Sequence, residues 1–219
     1  QMKPPGLASG QDLRCAVATG ILNVPVRNTM HTFLLVCVLT LVWAALHAAA
    51  PRLLLASLRQ TGDPGLARRV DSRLECLGAA RVRHLSRMVR CQVYYVLAAP
   101  IGVRLLMECH SLTDLLHRFT PLHELGFALA LSHWLVSLLE DGASRNGFEL
   151  PKLPSGEGLS LDLWALYMLH HAVAIGAFAY CLGARALPAL GACGLAFELP
   201  VAFLNLRDLL VEFRPELRW

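Results

Sequence analysis

The twenty residues from His31 to Ala50 contain no Asp, Glu, Lys or Arg, and no other feature restricts the fold of this chain as much. About 20 apolar residues, rising about 1.5 Å each in a helix, cross the roughly 30 Å hydrocarbon core of a bilayer. Lipid offers the backbone no hydrogen bonds, so the segment satisfies its own by forming a helix. Composition extends this to the whole chain. Of 219 residues, 55% are hydrophobic and 16% charged, with a mean hydropathy of +0.49. Intrinsic disorder needs the opposite balance. The seven cysteines are scattered with no CxxC pair, and several fall inside apolar stretches, where they behave as small hydrophobes rather than a disulfide, zinc or redox device. The expected fold is all-α, a polytopic transmembrane helix bundle.

Four further stretches reach or approach spanning length. The second span covers about 91–107 and includes Tyr94, Tyr95, Pro100 and the charged Arg104. The third, about 122–139, opens after Pro121 and closes at Glu140-Asp141-Gly142. The fourth and fifth, about 161–182 and 187–206, are separated only by Gly183-Ala184-Arg185-Ala186, a link short enough to make them antiparallel neighbours. Pro51-Arg52 marks the end of the first span. The chain therefore divides into an N-terminal segment, 1–30, and a transmembrane domain, 31–219. No internal repeat or low-complexity tract is visible, and the Gly-, Pro- and Ser-rich stretch from Asp141 to Gly158 reads as an irregular exposed loop.

Five spans place the two ends of the chain on opposite sides, and Lys/Arg counts in the loops choose the orientation. The net charge of +4 is small, too weak without a soluble basic domain to argue for nucleic acid. Its distribution is lopsided. Nine arginines lie between Pro51 and Arg90, and five more Lys/Arg follow the third and fifth spans; only Lys3, Arg14, Arg27, Arg118 and Arg185 lie on the other side. The arginine-rich segment and the C-terminus are thus expected on the cytosolic or matrix side of an organellar membrane, mitochondrial inner or endoplasmic reticulum. Between residues 66 and 90, Val70, Leu74, Leu77, Leu85 and Met88 alternate with basic residues in the pattern of an amphipathic surface helix. On that reading Arg69, Arg73, Arg81 and Arg87 meet anionic lipid headgroups, at about 1 kcal/mol per well-placed arginine. The plainer reading, an ordinary positive-inside loop, accounts for the same arginines. The chain begins at Gln1 with methionine second, which is expected of a processed or incomplete N-terminus, and the basic residues of 1–30 are compatible with a presequence remnant.

Ionisable residues inside spans are costly and so are candidates for function. His133 lies in the third span, His170 and His171 in the fourth, Glu198 in the fifth and Arg104 in the second. Counting from each span's start puts the histidines and Glu198 roughly 14 to 17 Å deep, near the bilayer midplane. Adjacent helical residues point about 100° apart, so one of His170 and His171 is expected to meet Glu198 and the other His133 or a cavity. A carboxylate beside an imidazole suits general-base chemistry; the same groups serve equally as interhelical hydrogen-bond partners; three histidines and a glutamate are also conceivable metal ligands, though the residues call for no specific metal or cofactor. Arg104 has Glu108 one turn later as an ion-pair partner.

The stretch Leu169-His170-His171-Ala172-Val173, followed by Phe197-Glu198-Leu199-Pro200-Val201-Ala202-Phe203-Leu204-Asn205-Leu206-Arg207, resembles the second half of a TLC domain. That family is shared by translocon-associated membrane proteins, ceramide synthases and the ceroid-lipofuscinosis membrane protein. The resemblance covers about residues 160 to 210, and Leu125-Gly126-Phe127 is similar to the family's third-helix glycine motif. For a ceramide synthase it would imply acyl-CoA-dependent N-acyltransfer with His170 and His171 as the catalytic pair. Departures weigh against that activity. Ala174 stands where those enzymes typically have a threonine, and Phe197-Glu198-Leu199-Pro200-Val201 stands where they have a His-Asp-x-x-Asp. The family bundle usually has at least one more helix as well, so the chain is expected to be reduced after Trp219. The resemblance implies a non-synthase TLC-domain protein with a role in membrane lipid, contacting it through His133, His170, His171, Glu198, Asn205 and Arg207. The alternative expectation is a non-catalytic accessory subunit assembled with other membrane subunits in a large complex.

Overall fold

A computed structural model describes residues 26–60, 65, 68, 79–143 and 161–213. The described residues contain seven helices and no strand: α1 (Val26–Gln60), α2 (Ala79–Met107), α3 (Leu112–His117), α4 (Pro121–Ala143), α5 (Leu161–Ala184), α6 (Pro188–Ala196) and α7 (Glu198–Phe213). Four stretches are long and apolar enough to cross a membrane: Thr29–Leu53, His84–Met107, Pro121–Glu140 and Pro188–Val211; Met168–Ala184 is a shorter apolar helix. This is the all-α polytopic bundle of an integral membrane protein, as the sequence led one to expect.

Several boundaries move. Pro51 removes one backbone donor from α1 but does not end it; the helix continues to Gln60, past the end of the apolar stretch at Leu53. The expected surface helix over 66–90 falls largely outside the described residues. From Ala79 onward its residues run without a break into the second span, and Leu85, Ser86, Met88 and Arg90 are buried in the bundle rather than laid on its surface. The fifth span is two helices, not one. Pro200 has no N–H to give the Ala196 carbonyl, and the chain breaks at Phe197, so Glu198 opens α7.

α2 and α4 form the centre: α1 packs on both, α5 on α4, and α6 and α7 on α2. α1 runs alongside α4, Thr32 donating to Glu124 and Trp43 Nε1 to Ser132 Oγ at 3.1 Å. α2 runs the opposite way, with Ile101 beside Gly126 and Arg90 reaching Ser137. Lipid supplies little hydrophobic drive between helices, so close packing of small residues holds them together. A Cβ on Gly102 would stand 2.4 Å from Ala196 N, which measures how near α2 and α6 approach. Phe127 lies over Gly191 in the same way.

The fourth and fifth spans touch, Phe178 facing Gly194, but each packs mainly on a different central helix. Arg185 and Leu187 both adopt left-handed backbone (φ 47° and 53°), and Leu187 N donates to Leu116 O at 3.1 Å. The turn sends α6 and α7 across to α2 while α5 stays on α4. Arg185 is held by Glu124 Oε2 at 3.5 Å and by the Phe119 ring 5.3 Å away. The short α3 is capped by Ser111, whose hydroxyl accepts from Asp114 N at 3.1 Å.

Candidate functional site

Because α5 and α7 pack on different central helices, their polar residues face each other across α2 and α4. On α4, His133 is buried and stacked on Tyr94 of α2, ring centroids 3.9 Å apart and planes 7° from parallel. Trp43 and Trp134 close on its edges at 5.5 and 5.4 Å. Tyr94 carries the contact onward, its hydroxyl lying 3.4 Å from Glu198 Oε1 at the start of α7. On the other flank Trp134 meets His171 at 4.9 Å and His170 at 5.4 Å. The two adjacent histidines diverge as helix geometry requires: His171 is buried and His170 exposed.

The structure thus gathers His133, His170, His171 and Glu198, but not in the pairs expected. Trp134 stands between His133 and the histidine pair. The hydrogen bond described for Glu198 comes from Tyr94, not from an imidazole. Counting residues gives depth along a helix; it does not show which aromatic ring fills the space between two helices. Glu198 stands in the first turn of α7. Broken helices at membrane depth occur where the backbone is buried in protein or lines a cavity.

Toward the far end of the bundle the sequence reading missed a second polar group. Arg90 was counted among the loop arginines, yet it is fully buried. Its NH2 group donates to Glu140 Oε2 at 2.9 Å and Ser137 Oγ at 3.1 Å, and NH1 to the His133 carbonyl at 3.3 Å. Glu140, read as a charged stop, turns back to Arg90 and also lies 3.1 Å from His47 Nδ1. The signal was present: Arg90, Tyr94 and Ala98 recur every four residues, one face of a helix. Cys91, set aside with the other cysteines, places Sγ 4.0 Å from His133 Nε2.

The remaining candidates lie apart from this cluster. Asn205 braces α7 on α2, donating to the Met88 carbonyl and Gln92 Oε1, both at 2.9 Å. Arg207 is exposed and bonds Asp208. Arg104 pairs with Glu108 at 3.1 Å as expected. Arg87 NH2 lies 3.2 Å from His84 Nδ1; Arg69 and Arg73 lie outside the described residues, as does the side chain of Arg81. Among the described residues no three His, Cys, Asp or Glu side chains are grouped so as to hold a metal ion. Compared with protein-family models, curated proteins and solved structures, the chain gives no match.

Proposed function

We propose that this chain is a TLC-domain-like multi-pass membrane protein that binds or handles membrane lipid without the full acid/base set of an N-acyltransferase. The observation that carries the reading is the His170–His171 pair. One imidazole is buried against Trp134, and its neighbour is exposed on an apolar helix between Leu169 and Val173. An exposed imidazole among leucine and valine at membrane depth suits an amphipathic ligand, whose polar group meets His170 while its chains lie along α5. Glu198, on the other side of the Trp134–Tyr94 layer, offers an acceptor to a second polar group of the same lipid. The arginine-rich segment before α2, with Arg87, would face the cytosol or matrix and meet anionic headgroups; an organellar membrane, mitochondrial inner or endoplasmic reticulum, is the proposed setting.

The test is the lipid that stays with the protein through purification in mild detergent, identified by mass spectrometry. His170→Ala and Glu198→Ala should lose a specific lipid class severalfold while eluting as the wild type does. An unchanged lipid profile in well-folded variants would count against lipid handling.

One observation favours a second reading, a non-catalytic subunit of a larger complex. Tyr94 already occupies Glu198 and stacks on His133, as groups kept for helix packing would. Blue-native electrophoresis of membranes separates the two, since a subunit migrates with a complex of far higher mass than its own 24.0 kDa.

A further inference from the structure

Glu198 is 9% exposed and stands inside the apolar stretch Pro188–Val211. Among the described residues no cationic side chain is paired with it, and its one polar contact is the Tyr94 hydroxyl, 3.4 Å from Oε1. A full-strength O–H···O bond is shorter, about 2.5–3.0 Å. An enclosed carboxylate needs a positive partner, so either a proton or a cation has to neutralise this one. A protonated carboxyl would leave the Tyr94 hydroxyl an ordinary hydrogen bond to Oε1, drawing the two oxygens to about 2.7 Å. Two oxygens that hold one ion at right angles, each about 2.4 Å from it, stand about 3.4 Å apart; that is the range for calcium, which sodium nearly matches in radius, whereas magnesium would pull them to about 3.0 Å. The backbone points the same way. α6 ends at Ala196 and α7 opens at Glu198, and Pro200 has no N–H for the Ala196 carbonyl, so the break leaves a carbonyl oxygen without its helical donor two residues before the carboxyl. Helices broken inside a membrane use such freed carbonyls and the C-terminal end of the first half-helix to hold monovalent cations.

From this geometry we propose that the α6–α7 break is a sodium site, with Glu198 Oε1 and the Tyr94 hydroxyl as ligands, the Ala196 carbonyl as a third, and water or a lipid oxygen completing the shell. Hard cations take carboxylate, hydroxyl and carbonyl oxygens, so this site does not need the grouping of His, Cys, Asp or Glu that the described residues lack. One carboxylate balances one monovalent charge, whereas a divalent ion would leave a net positive charge enclosed. The ion enters as a proton leaves: the Glu198 carboxylic acid and Na+ give the sodium carboxylate and H+. Both sides of the site are braced. The Tyr94 ring is stacked on His133, and Asn205 ties α7 to the Met88 carbonyl and Gln92 of α2. The proposal goes beyond lipid handling at His170 and Glu198 and does not depend on it, since a lipid oxygen can share the ion without being needed to bind it.

The experiment follows thermal unfolding of the full chain in a mild non-ionic detergent, under alkaline conditions where protons compete least, in NaCl, KCl or choline chloride at one fixed ionic strength. The wild-type midpoint should rise saturably with NaCl over choline chloride, by about 5 °C or more once NaCl exceeds Kd about 100-fold, and by less in KCl. Glu198→Gln keeps the shape and removes the charge, so its midpoint should be the same in all three salts. Tyr94→Phe keeps the stack on His133 and should need about tenfold more NaCl for half the shift, the scale on which a metal site responds to a lost polar neighbour. A wild-type midpoint that is the same in NaCl and choline chloride overturns the proposal, as does a Glu198→Gln protein that still prefers NaCl, or a wild type that responds equally to KCl. If Glu198→Gln does not fold, Tyr94→Phe decides, and an unchanged half-effect concentration there overturns it. The readout needs no lipid. Retained lipid that is lost in His170→Ala, together with wild-type unfolding indifferent to NaCl, would sink this inference and leave lipid handling standing.

Discussion

Replacing Gly102 by alanine tests the packing that sets the site. The added Cβ would stand 2.4 Å from Ala196 N and 2.7 Å from Leu195 C and Cβ. Ordinary contact begins at 3.4 Å, so α6 would have to withdraw by about 1 Å, and the nearest atoms are backbone that no rotamer change moves. Overpacking of this kind costs about 1–3 kcal/mol, against a gain of about 1 kcal/mol for alanine over glycine in a helix. The net is a loss of up to about 2 kcal/mol, or up to about 30-fold in the folded ratio. Two other glycines calibrate it. At Gly126 the Cβ meets only the side-chain tips Ile101 Cγ2 and Leu195 Cδ1, each at 2.9 Å, and at Gly176 nothing lies within 4 Å. Gly176→Ala should therefore be stabilised by up to about 1 kcal/mol, with Gly126→Ala in between. Thermal unfolding of the three purified variants in one detergent, followed by size-exclusion fluorescence, ranks them. Gly102→Ala should also release retained lipid, because a displaced α6 carries Glu198 away from Tyr94. If Gly102→Ala is as stable as Gly176→Ala, the α2–α6 approach described here is wrong.

Arg90 and Asp114 give two further tests. Arg90→Ala removes one donor from each of Glu140, Ser137 and the His133 carbonyl; breaking a buried ion pair costs about 3–5 kcal/mol, here toward the lower figure because the Glu140 side chain keeps 24% of its exposure and His47 still lies beside it. Arg90→Met with Glu140→Gln should recover most of that loss in the same thermal assay, and a single Arg90→Met as stable as wild type would show the ion pair to be idle. Asp114 at the start of α3 is held below the usual carboxylate range by hydrogen bonds from Ser111 and from the His110 N–H. A depressed folded value means the stabilisation is present at neutral pH and disappears as pH falls through the folded value, so the protection of the amides in 112–117, their exchange relative to an unstructured chain at the same pH, should fall in acid. Ser111→Ala should raise exchange at neutral pH and flatten that dependence; exchange unaffected by either change would remove the cap from the account.

Much of the architecture was legible because lipid leaves the backbone so few choices. A charge-free His31–Ala50 has to be a helix, and the same reasoning found all five apolar stretches. Relative level along the bundle was legible too, since a constant rise per residue turns counting into distance, and this is why His133, His171 and Glu198 were singled out together. Lateral relations were not legible. The four-residue link implied that the last two spans lie side by side; they do touch, Phe178 facing Gly194, but the left-handed backbone at Arg185 and Leu187 and the glycine-lined contact at Gly102 send most of α6 and α7 to α2. Which neighbour a helix chooses depends on side chains from several segments meeting at once. For the same reason Tyr94, not an imidazole, reaches Glu198, and Trp134 parts His133 from His171. Arg90 shows the limit most clearly: in sequence it is the last of a run of loop arginines, and only the packed helices, bringing Ser137, Glu140 and the His133 carbonyl to one point, provide enough partners to bury a guanidinium that lipid alone would expel.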